Sequence, residues 1–141
     1  MQPAKTHTWS PRVIVADDHE WILQILVAVV ANTLPEAEVV AVEDGQQALE
    51  AYRQGGCNFL VTNHQMPHVD GATLIRQVRA QAPQLPILMV SVHPDAKADA
   101  MAAGANWFLT KVQINEHLPE LLIEYATGQS HLPDSTHSPA I

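Results

Sequence analysis

The chain has 141 residues, 47% of them hydrophobic, and carries 15 acids against 7 bases for a formal net charge of −8. That is room for one domain with a real core but not for two, and it is too apolar for a disordered chain. The bases (Lys5, Arg12, Arg53, Arg76, Arg79, Lys97, Lys111) are scattered, so no basic stripe exists for nucleic acid or for a membrane surface.

Residues 1–11, MQPAKTHTWSP, hold no apolar signal segment and little to bury, and are expected to form a flexible N-terminal tail. RVIVA (12–16) is a short β-branched run and reads as a buried strand. HEWILQILVAVVANTL (19–34) is long enough for a helix, which Pro35 stops. EVVAV (38–42) is strand-like, and DGQQALEAYRQGG (44–56) is a helix ended by glycines. FLVT (59–62) is the third strand. In ATLIRQVRAQA (72–82), Leu74, Ile75, Val78 and Ala82 share one helical face, and Asp70 is placed to cap it. PILMVSV (86–92) is the fourth strand, and DAKADAMAAG (95–104) is an alanine-rich helix closed by Gly104. NWFLT (106–110) is the fifth strand. The last helix is expected to start near Pro119, with Leu118, Leu121, Leu122 and Tyr125 on one face. Residues 128–141 form a second expected tail, leaving 12–127 as the domain.

Strands alternating with helices make an α/β protein with a parallel sheet, wrapped on both faces by right-handed crossovers. In such sheets functional groups gather beyond the carboxyl ends of the strands, near the switch point of the strand order. The first strand ends in Asp17 and Asp18, the third in Asn63, the fourth carries Ser91 near its end, and Lys111 follows the fifth. Glu43 and Asp44 end the second strand and can be read as a helix start. Alone, either Asp17 or Asp18 could cap the first helix. Together with a lysine they form a hard-oxygen site for a small divalent cation, with a cationic anchor for an anion.

The segments VIVADDHE, FLVTNHQMPHVDG, ILMVSVH and GANWFLTKV, in that order and spacing, resemble the receiver domain of bacterial two-component response regulators over about residues 12–127. The resemblance implies a flavodoxin-like (βα)5 doubly wound sheet of strand order 2-1-3-4-5. It implies a module that takes a phosphoryl group from a histidine kinase onto an aspartate, with Mg2+. Asp17 and Asp18 match the metal-holding acids, and the carbonyl of Gln65 a further ligand. Ser91 and Lys111 match the residues that contact the phosphoryl oxygens, and Phe108 the aromatic that changes rotamer on activation. Met66, Pro67 and Gly71 match the loop after the acceptor.

The acceptor position itself holds Asn63. A neutral amide is no nucleophile at pH 7 and cannot form an acyl phosphate. As a metal ligand it offers a neutral carbonyl oxygen in place of a charged one, so Mg2+ is expected to be weak or optional. Val112 stands where the family usually keeps a proline. The bond before it is expected to be trans, since a non-proline cis bond costs about 2.5–4 kcal/mol, and that could draw the Lys111 ammonium away from the site.

The expectation is a stand-alone, cytoplasmic module of two-component signal transduction, not an enzyme and not phosphorylatable at Asn63. It would act through contacts with a sensor histidine kinase or another signalling protein, on the face of the 95–104 helix, the last strand and the last helix. A homodimer is possible; nucleic acid and membrane are not expected. Two other readings stay open: an ordinary phospho-accepting receiver with an engineered Asp-to-Asn change at 63, and a phosphorelay intermediate that removes its own phosphoryl group. His19, His64 and His68 read as exposed loop histidines, although His64 could in principle accept a phosphoryl group. Cys57 reads as a small half-buried hydrophobe. Ser91 has no GxSxG context and no strand is followed by a Gly-rich phosphate loop, which excludes the familiar hydrolase and nucleotide signatures. On the first helix Leu23, Leu26 and Val30 can face the sheet. Trp21, Ile25 and Val29 fall on another side, expected to be covered by the last helix or the N-terminal tail, the alternative being a contact surface.

Overall fold

The computed structural model describes residues 10–128, so most of both expected tails lies outside the described residues. Ten elements alternate: β1 (Arg12–Ala16), α1 (Glu20–Thr33), β2 (Glu38–Val42), α2 (Gly45–Gly55), β3 (Phe59–Asn63), α3 (Gly71–Gln81), β4 (Ile87–Ser91), α4 (Lys97–Ala103), β5 (Trp107–Thr110) and α5 (Ile114–Thr127). The strands form one parallel sheet in the order β2-β1-β3-β4-β5, as expected.

Burial follows from that order. The central strands β3 and β4 are buried at every position, while the edge strands β2 and β5 are largely half-open. Side chains alternate between two apolar clusters. Ile14 and Ala16 pack with residues of α2, α3 and α4 on one face. Val13 and Val15 pack with α1 and α5 on the other. On that second face Phe59 stacks on Trp107 at 5.8 Å and meets Tyr125 edge-on at 5.3 Å.

Three expectations need correction. The last helix begins at Ile114, not near Pro119, which lies inside it. Thr110 and Gln113 form a capping box that starts a tight turn at Lys111–Gln113, and α5 continues from it. Ile114 and Leu118 are buried against the sheet, and this burial offsets the hydrogen bond that Pro119 cannot donate. The second correction concerns α1. Leu23, Leu26 and Val30 face the core, and Ile25 and Val29 pack on the same cluster as α5. Trp21, in the first turn, is 72% exposed and is not covered. The 95–104 helix is shorter than expected: a tight turn over Pro94–Ala96 precedes α4, which Gly104 closes at φ 116°.

Candidate functional site

Because all five strands run the same way, their carboxyl ends share one edge of the sheet. The chain crosses over between β1 and β3, so the ends of these two neighbours flank the switch point. Asp17 continues the β1–β2 ladder through its N–H to Val42 O at 3.1 Å, and its side chain is fully buried. Asn63 is the last residue of β3 and is 5% exposed. Gly71 fixes its backbone from the other side. A Cβ at Gly71 would overlap Asn63 O, so only glycine lets α3 begin this close to β3. Asp70 caps α3 as expected, accepting from Thr73 N at 2.9 Å. That bond holds the Asp70 carboxyl below the usual aspartate range.

The side chains meet at the switch point. Lys111 Nζ lies 2.7 Å from Asp17 Oδ2, a buried ion pair. Asn63 Nδ2 donates to Asp18 Oδ1 at 3.1 Å and to Gln65 O at 3.0 Å. His19 Nδ1 lies 3.2 Å from Asp17 Oδ1 and 3.3 Å from Asp18 Oδ1. Asp17 Oδ1 also accepts from His19 N at 2.9 Å, and no side chain caps α1 itself. Ser91, at the end of β4, is 2% exposed and accepts from His93 N at 3.0 Å. Phe108 stands apart from this polar group: it is half-buried beside Met89 in strand register and packs on the α2–α3–α4 face.

Lys111 therefore remains in the site. No described peptide bond is cis, yet the ammonium is not drawn away. The turn fixed by Thr110 and Gln113 sends Lys111 inward, 9% exposed, and Val112 outward, 90% exposed. The second-strand pair behaves as a helix start: Asp44 accepts from Gln47 N at 2.8 Å, and chiefly for that reason its carboxyl is held below the usual range.

Asp17, Asp18 and His19 offer ligand atoms within 4.8 Å of one another, a group able to hold a metal ion. The histidines of the β3–α3 loop, expected to be exposed, are not all so: the His64 side chain is only 19% exposed. His64 Nε2 lies 3.3 Å from Asp99 Oδ2 on α4, while its buried Nδ1 has no hydrogen-bond partner. His68 Nδ1 lies 3.2 Å from Asp44 Oδ2. His68 has φ 68°, the one non-glycine residue with positive φ among the described residues, with Val69 N bonded to Pro67 O across it. The β3–α3 loop is thus tied to α2 on one side and α4 on the other. No local spacing could have signalled these pairs, since both are long-range. Cys57 is half-buried, and burial pushes its thiol up to about 11, which does not suit a nucleophile.

Among the described residues no helix is long and apolar enough to cross a membrane. A family model for the response regulator receiver domain matches residues 13–123. The chain is 28% identical over 131 residues to the transcriptional regulatory protein DegU of Brevibacillus brevis, across 90% of this chain and 55% of that protein. It is 38% identical over 105 residues to a protein-glutamate methylesterase/protein-glutamine glutaminase of Shewanella frigidimarina, across 71% of this chain and 26% of that protein. The chain thus spans about half of the first relative and a quarter of the second. Among solved structures, the signal receiver domain of a NarL response regulator from Mycobacterium tuberculosis matches with a TM-score of 0.73 at 27% identity, across 86% of this chain and 99% of that one.

Proposed function

This chain belongs to the response regulator receiver domain family, and on that premise we propose that it is a two-component signalling module that accepts no phosphoryl group at residue 63. Asn63 takes the position of the accepting aspartate, Asp17 and Asp18 that of the metal-holding acids, and Ser91 and Lys111 that of the phosphoryl contacts. The observation that carries the reading is the engagement of Asn63. It is buried at the end of β3, and its amide nitrogen donates to Asp18 and to Gln65 O, leaving a neutral group where an anionic nucleophile is required. Lys111 pairs with Asp17, an arrangement suited to a site whose residue 63 carries no charge.

Asp17, Asp18 and the Gln65 carbonyl keep the oxygen character of a Mg2+ site, and Mg2+ binding there is weak or optional. The module works by protein contact rather than catalysis. Its partner is a cytoplasmic sensor histidine kinase or another signalling protein, with a second copy as the other candidate. Exposed Met101 on α4, Val112 after β5 and Ile123 on α5 support a contact face there. Phe108 on β5, partly buried against the cluster of α2, α3 and α4, is the residue to couple that face to the site.

The test is intact-mass measurement after incubation with Mg2+ and acetyl phosphate, once deamidation of Asn63 has been excluded from the starting mass. The native chain is expected to remain unmodified and Asn63→Asp to gain one phosphoryl group. An adduct on the native chain that peptide mapping places at residue 63 would end this reading. An adduct mapped to His64 would move the chemistry one residue along.

A further inference from the structure

We propose that the Asn63 amide and the Lys111 ammonium stand in for a divalent cation, so that the acid pair is closed from within and Mg2+ binding requires the amide to leave. The inference rests on the reading of Asn63 above and gives its side chain a definite role: a plug, not a ligand.

The orientation of the amide is forced by its neighbours. Asp18 Oδ1 and Gln65 O are 3.1 and 3.0 Å from the amide, and both are pure acceptors, a carboxylate and a carbonyl. Only the NH2 end of Asn63 can face them. The same oxygens are what a small hard cation would take at this edge. Mg2+ binds oxygen at about 2.0–2.1 Å, and amide protons reach their acceptors at about 1.9–2.0 Å. While the amide donates to both oxygens, an ion that used them would have to displace its protons. The second acid is served separately, by Lys111 Nζ at 2.7 Å from Asp17 Oδ2. Each carboxylate thus has an internal N–H donor, and His19 Nδ1 lies within 3.3 Å of both.

Binding an ion would not merely swap one partner for another. Asn63 is 5% exposed, so turning its carbonyl toward an ion would send Nδ2 into the interior without these two acceptors. The octahedral geometry that Mg2+ demands adds to the difficulty. This reverses the usual expectation for removing a side chain from a metal site. If the amide is a ligand, deleting it weakens Mg2+ binding; if it is a plug, deleting it strengthens binding.

The experiment is a Mg2+ titration of the native chain and Asn63→Ala, by calorimetry and by the backbone amide shifts of Asp18 and His19. Asn63→Ala is expected to bind Mg2+ about tenfold more tightly than the native chain. Equal or weaker binding by the variant would overturn the proposal. Should the variant fail to fold, the native chain answers alone. Its Asn63 side-chain NH2 protons should be protected from solvent exchange without Mg2+ and lose that protection at saturation. Protection retained at saturating Mg2+ would overturn the proposal equally. Neither result bears on acetyl phosphate labelling, so failure here leaves the reading of residue 63 as a non-acceptor standing.

Discussion

The two edges of the sheet solve the same problem with opposite chemistry. At the amino edge, helices end and strands begin, so free carbonyls collect. Arg79 meets them there: its guanidinium donates to Ala82 O, to Leu85 O, twice to Gly104 O and to Asn106 Oδ1. Arg12 does the same at the end of α2, donating to Ala51 O and Gly56 O. At the carboxyl edge strands end and helices begin, and acids collect: Asp17, Asp18, Asp44 and Asp70. Both arrangements complement the helix dipoles. They differ in what can be exchanged. A guanidinium fork fixed on carbonyls is a permanent clamp. Carboxylates held by one ammonium and one amide can change partners, and that is what makes one edge structural and the other the candidate site.

The comparison breaks most sharply at Lys111. Lys111→Met leaves Asp17 buried without its cation, and a loss of about 3–5 kcal/mol in unfolding free energy is expected from urea denaturation. Part of that loss should return with millimolar Mg2+, because the freed carboxylate can take an ion. Arg79→Met removes the clamp at the other edge and should cost about 2–4 kcal/mol through unpaired carbonyls. Mg2+ should restore none of it. If Mg2+ rescues both variants or neither, the distinction between an exchangeable and a permanent edge fails.

Gly71→Ala probes how the site edge is positioned. The new methyl would overlap Asn63 O, and relieving it must move α3 or the end of β3. A loss of about 1–3 kcal/mol is expected in thermal or urea unfolding. The Asp18 and Asn63 amide resonances should shift with it. Unchanged resonances would mean that the overlap is relieved without disturbing the site.

The two edges were not equally legible in the sequence. Asp17, Asp18, Asn63, Ser91 and Lys111 could be placed because apolar runs mark where strands end, and one rule says where those ends gather. The arginine clamps could not: Arg12 reaches carbonyls far away in the chain, and Arg79 joins two nearby ones, Ala82 O and Leu85 O, to the distant Gly104 O, a link that no spacing records. The start of α5 was readable but misread. Pro119 suits a first helical turn, but Thr110 and Gln113, three apart before a helix, carry the capping signature. That same turn keeps Lys111 in the site despite Val112. Trp21, expected to be covered, is exposed for a different reason. Periodicity says which residues share a side of α1, but not where the neighbouring α5 stops covering it.

The smallest expected effect separates the edges by pH. Asp44 and Asp70 cap α2 and α3 through the N–H groups of Gln47 and Thr73, and both carboxyls are held below their ordinary value. A carboxylate with a depressed folded pKa releases its proton more readily in the folded chain. Its stabilisation is therefore complete above the unfolded value of about 3.9 and is lost as pH falls through the folded one. Asparagine caps a helix comparably but does not titrate there. The native chain should exceed Asp70→Asn by at most about 1 kcal/mol at neutral pH, and the gap should close below about pH 4. Asp44→Asn should show the larger gap, because His68 Nδ1 adds a second contact at 3.2 Å. The guanidinium clamps stay charged throughout this range, so acid should loosen the carboxyl edge first. Amide exchange in α2 and α3 followed down the pH scale reads this directly. First turns that open before the last turns, where Arg12 and Arg79 hold the carbonyls, are the expected order, and the reverse order would place the acid-labile contacts at the amino edge.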